Sequence, residues 1–468
     1  MLLIEFGKGG GNNMWFLDML KGAFRKMFRS DDIKRYIGSK IAISNAMMER
    51  IDLWNSMYSG SPPWESEYIH SLKLEQGICR EFANVCLNEM EATVENESLD
   101  EIFHYAIRDL NENLQQGIAR GSFCIKPLGG NEVEYIPAER FIPLEYDNRG
   151  RLKSVVFIQV KQENESTWYI RLETHKFNSG MLTIENRAFR SHSATEIGTP
   201  IELTEVEEWT TLPEQIMYQG LNGPDFGYYR NPIPNTVDGS HCGISIFDSA
   251  ISLIKDADTQ HARLKWEFES GERAIHVDYQ ALQTSVSVDK KKKIRLPRLN
   301  KRLYKGLNLQ PKGDEELFKE YSPELREQNI INGMESIKRQ IEFNVGLAYG
   351  DLSNPSYVEK SATECKIAKK RKYDMVTAIQ ENIKECLSDL VDALAFYNAC
   401  YNTPHELICS FKDSILTDET EERNNDRSDV AMGVMSVLEY RMKWYNETEE
   451  QAKKNLPQAE ELEGDNDD

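Results

Sequence analysis

Paired cysteines, long apolar runs and a surplus of positive charge are all missing from this chain. Its eight cysteines (Cys79, Cys86, Cys124, Cys242, Cys365, Cys386, Cys400, Cys409) are scattered, with no C-x-x-C pair and no histidine at zinc-ligand spacing. Free thiols in a reducing compartment are therefore expected. No stretch approaches the ~18 consecutive apolar residues a membrane span needs. The start carries no ordered basic, apolar and small-residue series of a secretory signal. Lys and Arg number 56 against 77 Asp and Glu, for a formal net charge of −21, and a surface of that sign repels phosphates and anionic lipid alike. Catalytic motifs are absent too. There is no H-E-x-x-H, and Gly243-Ile-Ser245 is not a nucleophile elbow because Phe247 stands where the closing glycine belongs. Asp258 and His261 share a helix face at a spacing compatible with metal, but two ligands on one rod make an incomplete site. No catalytic residue, cofactor or metal is expected.

What is present is a chain long enough for two to four structural regions, with 40% apolar and 10% aromatic residues to build their cores. Residues 1–13 imitate a phosphate-binding turn, yet no Ser or Thr follows Gly7-Lys8 and Asn12 occupies the last glycine position, so a flexible leader is expected. Residues 14–28 read as an amphipathic helix with Lys21, Arg25 and Lys26 on its polar side. From Glu65 to Arg120 the pattern is helical. Ser98 and Glu101 suggest a capping box ahead of the stripe Leu99, Phe103, Ala106, Leu110 and Leu114, with His104 packed beside it. Between Phe123 and Leu212 the pattern changes to alternation, as in "SVVFIQV", "TWYIRLETH" and "GMLTIEN", punctuated by turns, which predicts an antiparallel sheet. The fold class is thus α+β.

Two seamed rods follow. Phe247, Ala250, Ile254, Ala257, His261, Leu264 and Phe268 recur at alternating spacings of three and four, and Gly271 ends the run. A second helix is expected from Ser322-Pro323, with Ile330, Met334, Ile337, Ile341 and Val345 as its seam. Between them lies the densest charge in the chain, "KKKKIRLPRLNKRLYK" from Lys290 to Lys305, where nine of sixteen residues are basic and none acidic. Removing that +9 from −21 leaves −30 elsewhere, so the block is an island at the tip of a helical hairpin. Clustered Lys and Arg there suit phosphates or an acidic protein face. The segment "AYGDLSNPSYVEK" reads as a loop. Ser361 and Glu364 suggest a cap for a long helix striped by Val376, Ile379, Ile383, Leu387, Leu390, Leu394 and Tyr397. A small charge-rich helical end and an acidic tail complete the chain.

The order of these parts, and runs such as "GISIFDSAISLIKDAD", "EFESGERAIHVD", "LFKEYSPELREQNIINGMESIKRQIEFNVGLAYGDLS" and "KSATECK", resemble the portal proteins of long-tailed bacteriophages of Gram-positive hosts. The resemblance implies a non-enzymatic ring, usually of twelve subunits, at one capsid vertex of the virion, assembled in the bacterial host cytoplasm. Double-stranded DNA would be packaged and ejected through it. Partners implied are the terminase large subunit, head-completion or neck proteins and the major capsid or scaffolding protein, with no membrane. It divides the chain into a leader and amphipathic helix (1–30), a wing (31–242), a first stem helix (243–271), a small mixed clip (272–322), a second stem helix (323–347), a tunnel loop (348–361), a long wing or crown helix (362–398), a crown (399–456) and an acidic tail (457–468). It implies clip contacts through Lys290, Lys291, Lys292, Lys293, Arg295, Arg298, Lys301, Arg302 and Lys305. The implied tunnel-loop residues are Tyr349, Asp351, Leu352, Ser353, Asn354, Pro355, Ser356, Tyr357 and Lys360. Two other classes fit the residues alone: a Mg²⁺-dependent DNA-processing enzyme, or an adaptor gripping acidic partners through the basic tip.

Overall fold

The computed structural model describes residues 36–278 except 39, 165, 194 and 195, and residues 304–307, 318–354, 362–411 and 419–455 except 446. The amphipathic helix expected at 14–28, most of the basic block, the loop residues 355–361 with the Ser361 cap, and the acidic tail lie outside them. Four helices open the described chain: α1 (Asn45–Tyr58), α2 (Leu74–Leu87), then, after strand β1 (Met90–Val94), α3 (Glu97–Ala106) and α4 (Leu110–Arg120). The expected stripe is buried throughout, although it is shared by α3 and α4 across a break after Ala106. The capping box at Ser98 does not form. Asn96 caps α3 instead, accepting from the Leu99 N–H, while Asp100 is taken by the Val94 N–H and so ties the helix to β1. His104 is exposed, 3.4 Å from Asp100, and does not pack in the core.

Alternating apolar residues then give β2 (Ser122–Gly129), β3 (Glu132–Pro137), β4 (Phe141–Tyr146), β5 (Leu152–Asn164), β6 (Thr167–Asn178), β7 (Met181–Ser191), β8 (Thr199–Ile201), β9 (Gln215–Gln219) and β10 (Gly227–Arg230). Strands β4 to β8 form the expected antiparallel meander in sequence order, with β9 also on β7, and β10, β2 and β3 make a second sheet. One apolar core runs from α1 through α4 and β2 to the long helix α7 (Ala362–Tyr397), whose stripe from Val376 to Leu394 is buried; Tyr397, its last member, is half-buried. Each such side chain contributes roughly 1.5–3 kcal/mol. Where the chain passes from the sheet to the rods, Gly121 is required. Its φ is +93°, and a Cβ there would stand 2.4 Å from the Gly243 carbonyl oxygen.

A buried ionic joint holds the meander to α7. His175 on β6 is hydrogen-bonded to Asp225 through Nδ1 at 2.9 Å and to Glu173 through Nε2 at 3.0 Å. Tyr397, at the end of α7, donates to Asp225 at 2.6 Å, and Lys126 and Arg171 donate to Glu173. Burial alone would push the imidazole pKa down, but the two carboxylates raise it to about 9, so His175 is a cation at neutral pH.

The rods are α5 (Ile251–Ser270) and α6 (Glu327–Val345). Between them β11 (Ala274–Asp278) pairs in parallel with β12 (Tyr304–Leu307) and antiparallel with β13 (Phe318–Tyr321), a small mixed sheet. The rods are antiparallel, since Ser249 Oγ donates to the Asn344 carbonyl at one end and Arg326 meets Glu267 at the other. The α5 seam departs from expectation beyond its middle. Phe247, Ala250, Ile254 and Ala257 are buried, but His261 and Phe268 are exposed, because α5 changes partner along its length. Its first half packs on the body, while Gln260 and Glu267 face Asn329, Ile330 and Gly333 of α6. Helix α6 also begins later than its Ser-Pro signal. Residues 322–326 are not helical, because the backbone N–H and guanidinium of Arg326 are both committed to Glu267, at 2.9 and 2.8 Å. After α7, β14 (Leu407–Phe411) returns to pair with β1, which the helical reading of the chain's end lacked, and α8 (Glu419–Met432), α9 (Val437–Tyr445) and α10 (Glu449–Lys454) follow.

Two aspartates anchor α5. Asp248 accepts from the Trp54 indole at 2.8 Å and pairs with Arg50 at 3.0 Å. Asp258 accepts from the Trp64 indole and the Leu72 N–H, both at 2.8 Å, which draws residues 59–72 against the rod as non-helical chain. Both Asp258 oxygens are thereby engaged, and His261, exposed, does not join them. Beside Asp258 lies Glu75, fully buried, with no hydrogen-bond partner on another described residue for either oxygen. Burial first, and the Asp258 charge after it, raise its pKa to about 7. The folded chain therefore holds this proton more tightly than the unfolded chain, and the associated stability is complete below about pH 4.5 and lost as the pH rises through 7. Glu75→Gln is expected to gain roughly 2–3 kcal/mol at pH 8 and little at pH 4.5, measured by chemical unfolding at both pH values.

Candidate functional site

The loop expected to approach a ligand leaves the second rod, and its root is formed at the end of α6. Gly346 takes a left-handed conformation (φ +86°) that ends the helix, and the Gly346 and Leu347 N–H groups both return to the Glu342 carbonyl. Leu347 is buried, and the chain then doubles back along α6.

It is held there by two carboxylates seven residues apart, which two helical turns place on nearly the same face. Glu342, fully buried, accepts at Oε1 from the N–H groups of Gly350 (3.0 Å), Leu352 (2.7 Å) and Ser353 (2.7 Å), and at Oε2 from the Ser353 hydroxyl (2.9 Å). Glu335 accepts from the Asn354 N–H at 2.6 Å and from Lys338 at 2.9 Å. Burial would raise the Glu335 pKa, but these two donors hold it below the usual carboxylate range. Charge-assisted bonds to backbone N–H groups are about twice as strong as neutral ones, so four donors on one carboxylate make a stiff clasp.

The start of α7 completes the root. Lys372 Nζ is buried between Glu81 at 2.6 Å and Asp351 at 3.0 Å. Burial alone would lower its pKa, and the two carboxylates raise it instead. The Arg371 guanidinium lies 4.5 Å from the centre of the Phe343 ring and 5.5 Å from that of Tyr349. The rod, the loop's departure and the long helix are therefore one bonded unit.

Of the residues singled out in the sequence, Tyr349, Asp351, Leu352, Ser353 and Asn354 meet in this root. Pro355, Ser356, Tyr357 and Lys360 lie outside the described residues. So do Lys290, Lys291, Lys292, Lys293, Arg295, Arg298, Lys301 and Arg302. Lys305 falls in β12, whose neighbour β11 follows directly from α5, so in sequence the basic block lies between two strands of the small sheet. Sequence reasoning passed over Glu335 and Glu342, whose heptad spacing on an apolar-seamed helix was the available signal. It also passed over a second basic run, Lys366, Lys369, Lys370, Arg371 and Lys372, at the start of α7. Among the described residues no helix is long and apolar enough to cross a membrane, and no three His, Cys, Asp or Glu side chains are grouped to hold a metal ion.

No protein-family model matches the chain, and no curated protein matches it. Among solved structures it is similar to a chain in the neck of a native gene transfer agent particle computed with C12 symmetry (10% identity, TM-score 0.46, covering 84% of this chain and 92% of that one). It is also similar to a chain in the virion of a native gene transfer agent particle (12%, 0.41, 84% and 92%). A third likeness is to a chain in the neck of an empty particle of that kind computed with C6 symmetry (11%, 0.43, 88% and 97%).

Removing the clasp should free the loop without unfolding the rods. Glu342→Ala leaves three backbone donors without an acceptor, each worth about 1–3 kcal/mol. Amide hydrogen exchange over residues 350–354 should accelerate at least tenfold while α5 and the middle of α6 stay protected. Glu342→Gln, which keeps an accepting oxygen, should show a smaller change.

Proposed function

We propose that this chain is a portal subunit: a non-enzymatic, ring-forming component of a phage-like particle that provides the channel for duplex DNA at the junction of head and tail. The observation that carries this reading is the clasped root, in which a stem-like rod, a loop and a long helix are locked together by Glu342, Glu335 and Lys372. A loop meant to track a moving polymer needs such a base. Flexible attachment would dissipate any force between loop and rod, whereas buried charge-assisted bonds transmit it.

Other features support the same reading. The two rods join an α+β body and carry a mixed sheet at their far end, the basic block lying in sequence between its strands β11 and β12, where a motor or neck protein would dock. The net charge of −21 per copy, repeated around a ring, repels DNA phosphates, so a duplex would slide with little affinity. In this reading the wing is the body through β10, the stem is α5 and α6, the clip lies between them, and the crown is built by the helices after α7. The partners are further copies of the chain, the terminase motor, neck proteins and the capsid or scaffold, and the location is the virion.

Negative-stain imaging and native mass measurement of the purified chain test it directly. Closed rings with an axial opening are expected, and a monomer that cleaves DNA with Mg²⁺ overturns the proposal. Replacing Lys290, Lys291, Lys292 and Lys293 by Glu should leave rings intact and lower DNA packaging at least tenfold in a motor-driven assay. Deleting residues 355–360 should likewise spare the rings and abolish DNA filling; normal filling of either variant removes the role assigned to that segment.

A further inference from the structure

The rods expose more aromatic surface than a solitary hairpin should. Trp266 is 65% exposed, Phe268 48% and Phe343 56%, and on the adjoining chain Tyr68 is 75% exposed. Two of these, Tyr68 and Phe343, lie on opposite flanks of the rod pair, and their surroundings carry opposite charge.

The acidic flank is residues 64–70, "WESEYIH". Trp64 and Leu72 are bonded to Asp258 of α5. Nine residues further along that helix, Glu267 faces α6, and nine steps of 100° amount to half a turn, so this segment lies on the side of α5 away from α6. Glu65, Glu67 and Tyr68 are exposed on it, with no Lys or Arg in the segment.

The opposite flank is basic. On α6, Phe343 lies about 140° round from Ile330, which faces α5, so the ring is turned outward. Arg371 stacks on it, Lys370 is exposed beside Arg371 in sequence, and Arg339 stands one turn along α6 from Phe343. Arg339 Nε and Arg371 Nη1 are shielded from solvent and donate to no acceptor among the described residues. Both residues are only half-buried, and a carboxylate is the strongest acceptor an accessible guanidinium or ammonium can meet.

The rods also fix the relative heights of the two flanks. The Ser249 to Asn344 and Glu267 to Arg326 contacts set the register of the rods, placing Phe343 level with Ala250. That is eight residues from Asp258, about 12 Å along a helix.

We infer that the acidic segment at Glu65, Glu67 and Tyr68 of one copy docks on the Phe343, Lys370 and Arg371 face of the next copy of this chain. The contact is heterologous, one flank against the other, so it repeats in one direction and closes where the rotation permits. A protein partner suits the face better than a bare polyanion, because its centre is an exposed phenylalanine, and aromatic residues with Arg are enriched at protein interfaces. The inference rests on the ring reading and names the surfaces that would make the ring.

The test is a charge exchange on the full chain, read by native mass measurement and imaging. Glu65→Lys with Glu67→Lys changes only exposed residues and should reduce the assembled fraction at least tenfold. Lys370→Glu with Arg371→Glu should do the same, and all four changes together should restore assembly. Either pair assembling like the unchanged chain, or failure of the fourfold variant to recover, overturns the inference while leaving the ring reading standing. An unchanged chain that never assembles removes both. Rings that persist in the Lys370 and Arg371 variant but lose retention of duplex DNA assign the face to phosphate contact and overturn the docking.

Discussion

Five carboxylates on the two rods and the turn that opens the first are largely shut off from water and must find donors, and the arrangement of the molecule follows from where those donors are. Asp248, Asp258, Glu267, Glu335 and Glu342 are all buried. An unpaired buried carboxylate costs several kcal/mol, so each position is tolerable only with N–H groups around it. Asp248 and Asp258 take the indoles of Trp54 and Trp64 and fix α5 to the body. Glu267 takes Arg326 and joins the rods at their far end. Glu335 and Glu342 take the backbone of the returning loop.

Because these bonds form a chain of attachments, the loop root is connected to the body by two routes. One runs through α6 and α5 to α1. The other runs through Asp351 and Lys372 to α7 and Glu81 of α2. Displacement of the rods relative to α7 would therefore strain the clasp between them, since a packed, bonded root responds by switching rather than by bending. The acidic composition reads differently in this light. Part of the negative charge is spent on internal joints, and two dense basic runs stand out, one between the rods and one at the start of α7.

Much of the fold is legible in the residue pattern. The stripes of α3, α4 and α7, the β5 to β7 meander with its turns, the two rods and the loop after α6 all rest on periodicity, which records the burial of one face and needs no knowledge of the partner. Helix starts are less legible. Asn96 and Ser98 are both good caps, and the choice between them is made by β1, through the Val94 N–H on Asp100. The Ser322-Pro323 signal is sound locally and loses to Arg326 binding Glu267, fifty-nine residues away in sequence. Strands β1 and β14 are five residues each and pair across more than three hundred positions, too short for alternation to stand out.

The sequence alone determined most of the helices, the β5 to β7 meander and the loop after α6, because those patterns repeat within two to four residues and record which face is buried. It also determined the charge islands, which are matters of composition. Only the tertiary structure decided what the acids do. Glu335 and Glu342 look like any pair of helix carboxylates until the chain folds back on them. Asp258 looks like half a metal site until Trp64, 194 positions earlier, reaches it. A buried charge is defined by what surrounds it, and no local pattern in the chain carries that information.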